Sequence, residues 1–203
     1  MKQGYFEIIE NTRLVPNVYR MRLKGDTSAI TAPGQFVNIK LEGMFLRRPI
    51  SVCDVQGEVL TIIYKVVGKG TEAMSKMQGG TLDVLTGLGN GYDMTVTGEK
   101  PVLLGGGVGV PPMYLLCKCL IAEGKKPTVI LGFNKQEEIF YEEEFKALGC
   151  PVLVTTVDGS YGIKGFWNFA PLDLKLPGEA SVVNVHLDEG LQVLSFRMLH
   201  NDM

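Results

Sequence analysis

The residue types best suited to binding a ligand form a glycine-rich stretch near the middle of the chain. Residues 102–104 are an apolar run typical of a buried parallel strand, and Pro111 and Pro112 suit the first turn of a helix. The glycines that bare the backbone between them are Gly105, Gly106, Gly107 and Gly109. Backbone N–H groups at a helix N-terminus attract phosphate or pyrophosphate, although Val110 replaces the third glycine of Gly-x-Gly-x-x-Gly. The alternative is a tight strand–helix turn that needs glycine for its backbone alone.

A second candidate site combines an arginine with a serine at the start of a predicted strand. Its residues are Arg48, Pro49, Ile50 and Ser51. A guanidinium can clamp a phosphate with two hydrogen bonds, and the serine hydroxyl adds a donor. The alternative is that the adjacent Arg47 and Arg48 form a solvated edge that discourages strand pairing.

A third candidate site runs from a predicted strand into a short predicted helix. Ile63, Tyr64 and Lys65 lie on the strand, where Tyr64 can offer its aromatic face to a flat ring. Gly70 and Thr71 open the helix, with Thr71 as its cap, so their N–H groups can hold a second phosphate. The alternative is an ordinary strand and turn in which Tyr64 is half buried.

A fourth candidate site follows the last strand that the sequence clearly predicts. Asp158 and Ser160 lie just beyond it, and ligands of open α/β sheets bind along that edge, so either side chain can contact a ribose or a nicotinamide. The alternative is a turn in which Asp158 serves the backbone. The acidic run 142–144 indicates a solvated helix face. The two histidines have no metal-ligand spacing, so we predict neither a metal site nor a catalytic side chain.

Short strands rich in Val, Ile, Tyr and Phe dominate the first 98 residues, with glycine-containing turns between them. Six strands at this spacing predict a closed antiparallel barrel of the Greek-key type, because closure removes exposed strand edges. One short helix is predicted at residues 71–77. The predicted strands are residues 4–10, 18–24, 35–41, 49–55, 59–67 and 81–85.

Strands and helices alternate beyond residue 98, which predicts a parallel sheet with right-handed crossovers. We therefore expect an all-β plus α/β fold, with a barrel domain of residues 1–98 and a nucleotide-binding domain of residues 99–203. After the glycine stretch we predict a helix that ends near Gly124, strands at 128–133 and 151–156, and a helix at 142–148. The tail is less regular, with a possible strand at 180–187 and a strand or short helix at 191–199.

Composition excludes several classes of function. The chain has 203 residues, 45% apolar and 21% charged, and a net charge of −2, so no electrostatic case exists for nucleic acid or an anionic membrane. The start carries no apolar segment of the signal-peptide kind, and no apolar run is long enough for a membrane span. We expect four cysteines at unrelated spacings to be reduced, buried thiols of a cytoplasmic protein.

Several motifs in register resemble the ferredoxin–NADP reductase superfamily, in which an FAD-binding barrel precedes a nicotinamide-binding α/β domain. More narrowly, they resemble the electron-transfer subunit of class 1B dihydroorotate dehydrogenase. The stretches that carry this resemblance are residues 46–51, 61–65, 68–71, 87–91, 104–112, 130–133, 140–145 and 158–162.

The resemblance implies cofactors, sites and a partner. Residues 48–51 match the flavin-binding motif, residues 63–65 the segment along the isoalloxazine, Gly70 and Thr71 the pyrophosphate contact, and residues 105–109 the nicotinamide-dinucleotide turn. In that family NADH passes a hydride to FAD, and electrons leave singly through a [2Fe–2S] cluster to the FMN of a catalytic subunit that handles dihydroorotate and orotate. Asn134 stands at a position where recognition of the 2′-phosphate of NADPH would favour Arg. This favours NADH over NADPH, although Lys135 and Lys125 weaken the argument.

The chain departs from the family after about Phe166. A [2Fe–2S] cluster needs thiolate ligands, and no cysteine follows Cys150. A reading-frame change is one explanation, and it predicts that the alternative frame after codon 166 of the parent gene encodes the missing cysteines. Two other functions stay open: a free-standing NAD(P)H–flavin reductase, and a non-catalytic remnant that binds only flavin. An unfinished sheet also makes homodimerisation through the tail plausible.

Overall fold

Six antiparallel strands form a closed barrel in the first half of the chain. The computed structural model describes residues 1–162 and the backbone of residues 165–168 and 181–184. Around the barrel the strand order is β1-β2-β5-β4-β3-β6, which confirms the Greek-key prediction. The strands are β1 (Lys2–Val15), β2 (Val18–Lys24), β3 (Phe36–Lys40), β4 (Arg48–Gln56), β5 (Val59–Lys65) and β6 (Thr81–Leu88).

Strand β1 is longer than the sequence predicts because it pairs with two neighbours. Its first half, from Lys2 to Glu7, pairs with β6, and the part from Glu7 to Val15 pairs with β2. The predicted strand ended at residue 10 because the polar residues 11–13 follow it. In the structure those residues still belong to the ladder, where pairing with β2 offsets their weak strand preference.

The short helix α1 (Lys69–Ser75) begins two residues earlier than predicted. Gly68 is its N-cap, and Thr71 occupies the third helical position, so the prediction of Thr71 as the cap is wrong. The Thr71 hydroxyl instead reaches back, accepting from Val67 N at 2.9 Å and Gly68 N at 3.3 Å. It closes the first turn from inside the helix.

A parallel sheet with order β7-β8-β9 follows the barrel, as predicted. The elements are β7 (Val102–Gly106), α2 (Val110–Ala122), β8 (Thr128–Phe133), α3 (Glu142–Ala147) and β9 (Val152–Thr156), with 3₁₀ turns at Met94–Val96, Gly107–Gly109 and Gln136–Glu138. Two further strands, β10 (Gly165–Asn168) and β11 (Ser181–Asn184), pair in parallel. The predicted strand at 180–187 contains β11, and the predicted element at 191–199 lies outside the described residues.

The barrel and the α/β part share one of the two hydrophobic clusters. Val18, Cys53 and Ile63 of the barrel are buried in the same cluster as residues of α2 and of all three parallel strands. The other cluster fills the barrel itself. Within the described part of the chain, no helix has the length and apolar character needed to cross a membrane.

Candidate functional site

Arg48 and Gly70, twenty-two positions apart in sequence, are in contact. A Cβ added to Gly70 would lie 2.1 Å from Arg48 Nε and 2.7 Å from Arg48 Cζ, so the guanidinium occupies the space that any side chain at position 70 would fill. The guanidinium also donates to Leu46 O at 2.5 Å and lies 3.2 Å from Met44 Sδ. The structure thus brings two of the predicted phosphate-binding stretches together, with a positive charge beside the start of α1.

The two adjacent arginines have different partners. Arg47 Nη2 donates to both carboxylate oxygens of Asp83 at 3.0 Å, and its Nη1 donates to Asn38 O at 3.1 Å. This bidentate pair ties the loop before β4 to β3 and β6. Arg47 therefore has a structural contact, while the charge of Arg48 has no carboxylate among the ion pairs of the described residues.

The next three residues of β4 differ in their exposure to solvent. Pro49 is exposed, whereas Ile50 and Ser51 are half-buried. Ile50 packs against the barrel cluster, and Ser51 pairs with Phe36 of β3. Of the predicted flavin motif, Arg48 and Ser51 are the members with polar groups near solvent.

Tyr64 does not offer its ring to a ligand. Its side chain is 1% exposed, its hydroxyl donates to Asn11 Oδ1 at 3.0 Å, and its ring stacks on Tyr19 with centroids 5.9 Å apart. Burial raises the pKa of Tyr64 to about 12. The prediction of an aromatic face at Tyr64, and the alternative of half-burial, are both wrong for the side chain.

Strand β5 buries both of its faces, which explains this outcome. Ile62 and Tyr64 point into the barrel cluster, and Ile63 joins the cluster shared with the α/β part. Residues 60–64 are apolar apart from Thr61, a pattern typical of a strand covered on both faces. That pattern could have excluded Tyr64 as a ligand contact. Only Lys65, at the end of the strand, is exposed.

Lys65 and the glycine turn line one cleft between the barrel and the sheet. The cleft has a volume of about 530 Å³. Its barrel wall consists of Pro16, Asn17, Val18 and Lys65, and its other walls are Gly106, Gly107, Val108, Gly132, Phe133, Asn134, Glu138, Phe140, Thr155 and Val157. Lys65, predicted to contact a flavin, and Gly106 and Gly107, predicted to bind a nicotinamide dinucleotide, therefore face the same space.

The four glycines of the turn have different roles. Gly106 and Gly107 line the cleft, and Gly107 adopts φ +50°, which residues with a Cβ rarely adopt. Gly105 lies behind them, where an added Cβ would come within 3.1 Å of Val110 Cα and 3.2 Å of Gly109 O. Gly109 is the N-cap of α2. Close packing therefore explains the glycine at position 105, while dinucleotide binding by Gly106 and Gly107 stays a prediction.

Asp158 is placed as the turn alternative describes. Its Oδ1 accepts from Ser160 N at 3.0 Å and Ser160 Oγ at 2.6 Å, and these hydrogen bonds hold the pKa of Asp158 below its ordinary value. Neither residue lines the cleft. Thr155, near the end of β9, does line it, and the buried Thr155 Oγ1 has no hydrogen-bond partner in the described structure. Ligands of open α/β sheets bind at the carboxyl ends of the strands, and this principle applies to Thr155 as well as to Asp158.

The cysteines do not form a metal centre in the described residues. Cys53, Cys117 and Cys150 are buried, and burial raises the pKa of Cys53 and of Cys117 to about 12, which disfavours the thiolate that metals need. Residues 1–162 contain no group of three or more His, Cys, Asp or Glu side chains placed to hold a metal ion. These residues therefore do not fit a [2Fe–2S] cluster, whereas the Arg48–Gly70 contact and the glycine turn do fit a dinucleotide.

Solved structures share this arrangement of barrel and sheet. An NADH-dependent reduced ferredoxin–NADP oxidoreductase, studied for flavin-based electron bifurcation, superposes with a TM-score of 0.71 at 33% identity, covering 79% of this chain and 59% of that one. A ferredoxin NADP+ reductase from Neisseria gonorrhoeae with bound FAD and NADP gives a TM-score of 0.68 at 16% identity, covering 100% of this chain and 81% of that one. The fold and the cleft define a ferredoxin–NADP reductase-like oxidoreductase.

Curated relatives narrow the class to a family. The electron transfer subunit of dihydroorotate dehydrogenase B (NAD(+)) from Bacillus pumilus is 45% identical over 175 residues, covering 82% of this chain and 67% of that protein. The subunit of the same name from Fusobacterium nucleatum is 46% identical over 166 residues, covering 77% and 64%. The chain belongs to this family of electron transfer subunits, and it spans about two thirds of their length. No protein-family model matches it.

Proposed function

We propose that this chain transfers electrons from NADH through FAD, as the electron-transfer subunit of an NAD-dependent dihydroorotate dehydrogenase in pyrimidine biosynthesis. The observation that carries the proposal is the shared cleft. Lys65, at the end of a barrel strand, and Gly106 and Gly107, in the turn of the sheet, line one space of about 530 Å³. Two redox cofactors that exchange a hydride must meet in such a space, since the reacting atoms need to come within about 3–3.5 Å.

FAD would be held by the barrel. The Arg48 guanidinium lies against Gly70 at the start of α1, where positive charge and free backbone N–H groups favour a pyrophosphate. Ser51 adds a hydroxyl on the same strand. The flavin itself supplies the redox chemistry, accepting a hydride and releasing electrons. The protein's part is to hold the cofactor at the edge of the cleft and to limit access of water.

The nicotinamide dinucleotide would be held by the sheet. Gly106 and Gly107 allow its pyrophosphate to approach the backbone before the thirteen-residue helix α2, whose N-terminus favours negative charge. Glu138 accepts from Asn134 Nδ2 at 2.8 Å, and both line the cleft. A carboxylate there disfavours an additional phosphate, which supports NADH rather than NADPH as the donor.

The cofactor assigned to each part of the chain and the partner subunit are also proposals. We assign flavin binding to residues 1–98 and nicotinamide binding to residues 99–203. The acceptor is the FMN-containing catalytic subunit, in the cytoplasm. The described residues do not fit an iron–sulfur cluster. We therefore assign no such cluster to the route by which electrons pass from FAD to that subunit.

The test uses the purified chain with added FAD under anaerobic conditions. We expect a flavin absorption spectrum after removal of free FAD and bleaching of that spectrum on addition of NADH. NADPH should bleach it more slowly at equal concentration. A chain that retains no FAD would contradict the flavin assignment, and a flavin that NADH leaves oxidised would contradict the nicotinamide assignment.

The 33% identity to an NADH-dependent reduced ferredoxin–NADP oxidoreductase favours a second candidate, a free-standing NAD(P)H–flavin reductase for a soluble acceptor. Electron delivery separates the two. Reduction of a dihydroorotate-oxidising partner supports the first function, and reduction of flavodoxin or ferredoxin without reduction of that partner supports the second. A flavin-binding remnant would retain FAD and show no affinity for NADH.

Self-association is a further proposal. Val102 and Leu104 of β7 are 62% and 72% exposed, and apolar surface of this kind favours contact with a second copy. Sedimentation of the purified chain would show a concentration-dependent dimer, and a monomer throughout the micromolar range would exclude it.

A further inference from the structure

A partly buried ion pair connects the barrel to helix α2. Lys118 Nζ lies 2.6 Å from Asp54 Oδ1, and the two side chains are 29% and 6% exposed. The other carboxylate oxygen of Asp54 accepts from Gln56 Nε2 at 2.9 Å. The two residues are separated by 64 positions in sequence, so this contact exists only because the barrel and the helix pack together.

The ion pair connects the two elements that carry the two candidate binding sites. Asp54 is on β4, the strand that begins at Arg48 and includes Ser51. Lys118 is on α2, the helix that follows the glycine turn. Six residues of strand span about 20 Å, and eight residues of helix span about 12 Å. The ion pair is therefore linked to each site by one short, rigid element.

The remaining contacts around the ion pair are less directional. Leu115 of α2 packs against the barrel cluster, buried Cys53 joins the shared cluster, and the Tyr114 ring lies 5.8 Å below Lys118 Nζ. Apolar packing holds the helix against β4, and the ion pair adds a charged, directional hydrogen bond between the two elements. Removal of Lys118 would leave the buried Asp54 carboxylate without its ion-pair partner, which is costly.

We propose that Asp54 and Lys118 are positioning residues for hydride transfer. Their ion pair sets the placement of the glycine turn relative to the Arg48–Gly70 contact, and so the distance between nicotinamide and flavin. This inference rests on the proposed function. Neither side chain lines the cleft; we assign them a role through β4 and α2.

The kinetic test uses Lys118→Met, Asp54→Asn and the double variant, all loaded with FAD. A displacement of about 1 Å can slow a reaction by about 100-fold. We expect each single variant to lower the limiting rate of anaerobic flavin reduction by at least about tenfold. The FAD content and the dissociation constant of NADH should change less than about twofold, and Lys118→Arg should recover most of the rate. Equal losses in rate and NADH affinity would overturn the proposal.

Lys146→Met is the matched control. It removes the same ammonium group from ion pairs with Glu142 and Glu143, which lie within α3 alone. Its reduction rate should stay within about twofold of the wild type. The double variant Asp54→Asn/Lys118→Met leaves no buried charge unpaired, so it reports on positioning even where a single variant folds poorly. A double variant with the wild-type rate would overturn the proposal.

A second measurement does not depend on electron transfer. Amide residual dipolar couplings of the full chain report the relative orientation of the barrel and the α/β part. We expect Lys118→Met to change that orientation while the couplings within each part still fit one set of coordinates, and Lys146→Met to leave it unchanged. An unchanged orientation in Lys118→Met would overturn the inference. If NADH fails to reduce the wild-type flavin, the proposed function fails, and the couplings still decide the role of the ion pair.

Discussion

Arg47 and Arg48 differ in what surrounds them rather than in chemistry. Asp83 holds Arg47 by two hydrogen bonds of 3.0 Å, which neutralises its charge within the barrel. Arg48 contacts a carbonyl, a thioether and the bare backbone of Gly70, so its charge remains available to an anion. Arg47 lies in the loop before β4 and Arg48 is the first residue of that strand, so the two side chains have different neighbours, and one arginine can stabilise the barrel while the next serves a ligand.

Substitution of each arginine should separate these roles. We expect Arg48→Ala to weaken FAD binding by about 10–100-fold, as the loss of a charged hydrogen bond does, with little change in stability. Arg47→Ala should lower the free energy of unfolding by about 1–3 kcal/mol, since the Asp83 carboxylate loses its charged partner and keeps Gln3 Nε2 as its side-chain donor, with FAD affinity nearly unchanged. Fluorescence titration with FAD and urea unfolding measure the two effects. The reverse pattern would exchange the two assignments.

Gly70→Ala tests the close contact directly. The new Cβ would lie 2.1 Å from Arg48 Nε, so the flexible guanidinium must move away from the start of α1. We expect FAD affinity to fall at least about tenfold while unfolding changes by about 1 kcal/mol or less. Gly79→Ala is the control, because nothing lies within 4 Å of a Cβ added there. Equal affinities in the two variants would show that the contact does not matter for the flavin.

Both faces of strand β5 are covered, and this burial changes the role of Tyr64. Tyr64 lies inside the barrel, and its hydroxyl bonds to Asn11. Asn11 Nδ2 in turn donates to Met74 O and Met77 O at 2.8 Å each. This chain of hydrogen bonds ties α1 to the barrel. The polar group of Tyr64 is thus used to hold the helix near Arg48 rather than to contact a cofactor.

Tyr64→Phe should affect stability and leave flavin chemistry intact. We expect a loss of about 1 kcal/mol at neutral pH from the missing hydrogen bond, with FAD affinity and reduction by NADH within about twofold. Urea unfolding and anaerobic reduction by NADH measure the two quantities. A large loss of NADH-dependent reduction in a folded variant would restore the prediction that the ring contacts the flavin.

The pH dependence of stability gives a further prediction for Tyr64. Its pKa in the folded protein is raised to about 12 from 10.0, so the folded state holds the proton more tightly than the unfolded state. Stability from this group is complete below pH 10 and is lost as the pH rises through 12, by up to about 3 kcal/mol in total. The difference in the free energy of unfolding between wild type and Tyr64→Phe should therefore narrow and then reverse sign over this pH range. Urea unfolding at several pH values checks it, and a constant difference would contradict the assignment.

At the scale of the whole molecule, the cleft exists because the barrel and the sheet share a hydrophobic cluster. Strand ends and turns from both parts converge on it, and its lining residues range in sequence from Pro16 to Val157. Thr155 Oγ1 is the buried polar atom at this cleft that has no partner within the described chain. A bound dinucleotide would satisfy that hydroxyl, whereas Asp158 already uses its carboxylate within its own turn.

A pair of near-isosteric substitutions distinguishes these two residues. We expect Thr155→Val to weaken NAD+ or NADH binding by about 5–10-fold, the value of one hydrogen bond, without loss of stability, because the hydroxyl it removes has no partner. Asp158→Asn should leave the dissociation constant within about twofold. Calorimetric titration of the FAD-loaded variants measures both. If Asp158→Asn weakened binding and Thr155→Val did not, the dinucleotide would lie on the other side of β9.

The amino-acid sequence by itself determined the elements and their class. Alternating apolar residues, glycine turns and a helix with apolar residues at positions 116, 117 and 120 are local patterns, and the six barrel strands, the parallel strands and α2 follow from them. The sequence also placed the Arg48 and glycine-turn motifs, since their chemistry lies in consecutive residues. These features depend on neighbours a few positions apart, so they can be inferred without the fold.

Only the tertiary structure decided which residues meet. It paired Arg47 with Asp83, placed Tyr64 inside the barrel, put Thr155 rather than Asp158 at the cleft, and joined Asp54 to Lys118 across 64 positions. Each outcome depends on which face of a strand another element covers. Local patterns do not contain that information, because the burial of a side chain is set by packing between segments that are distant in sequence.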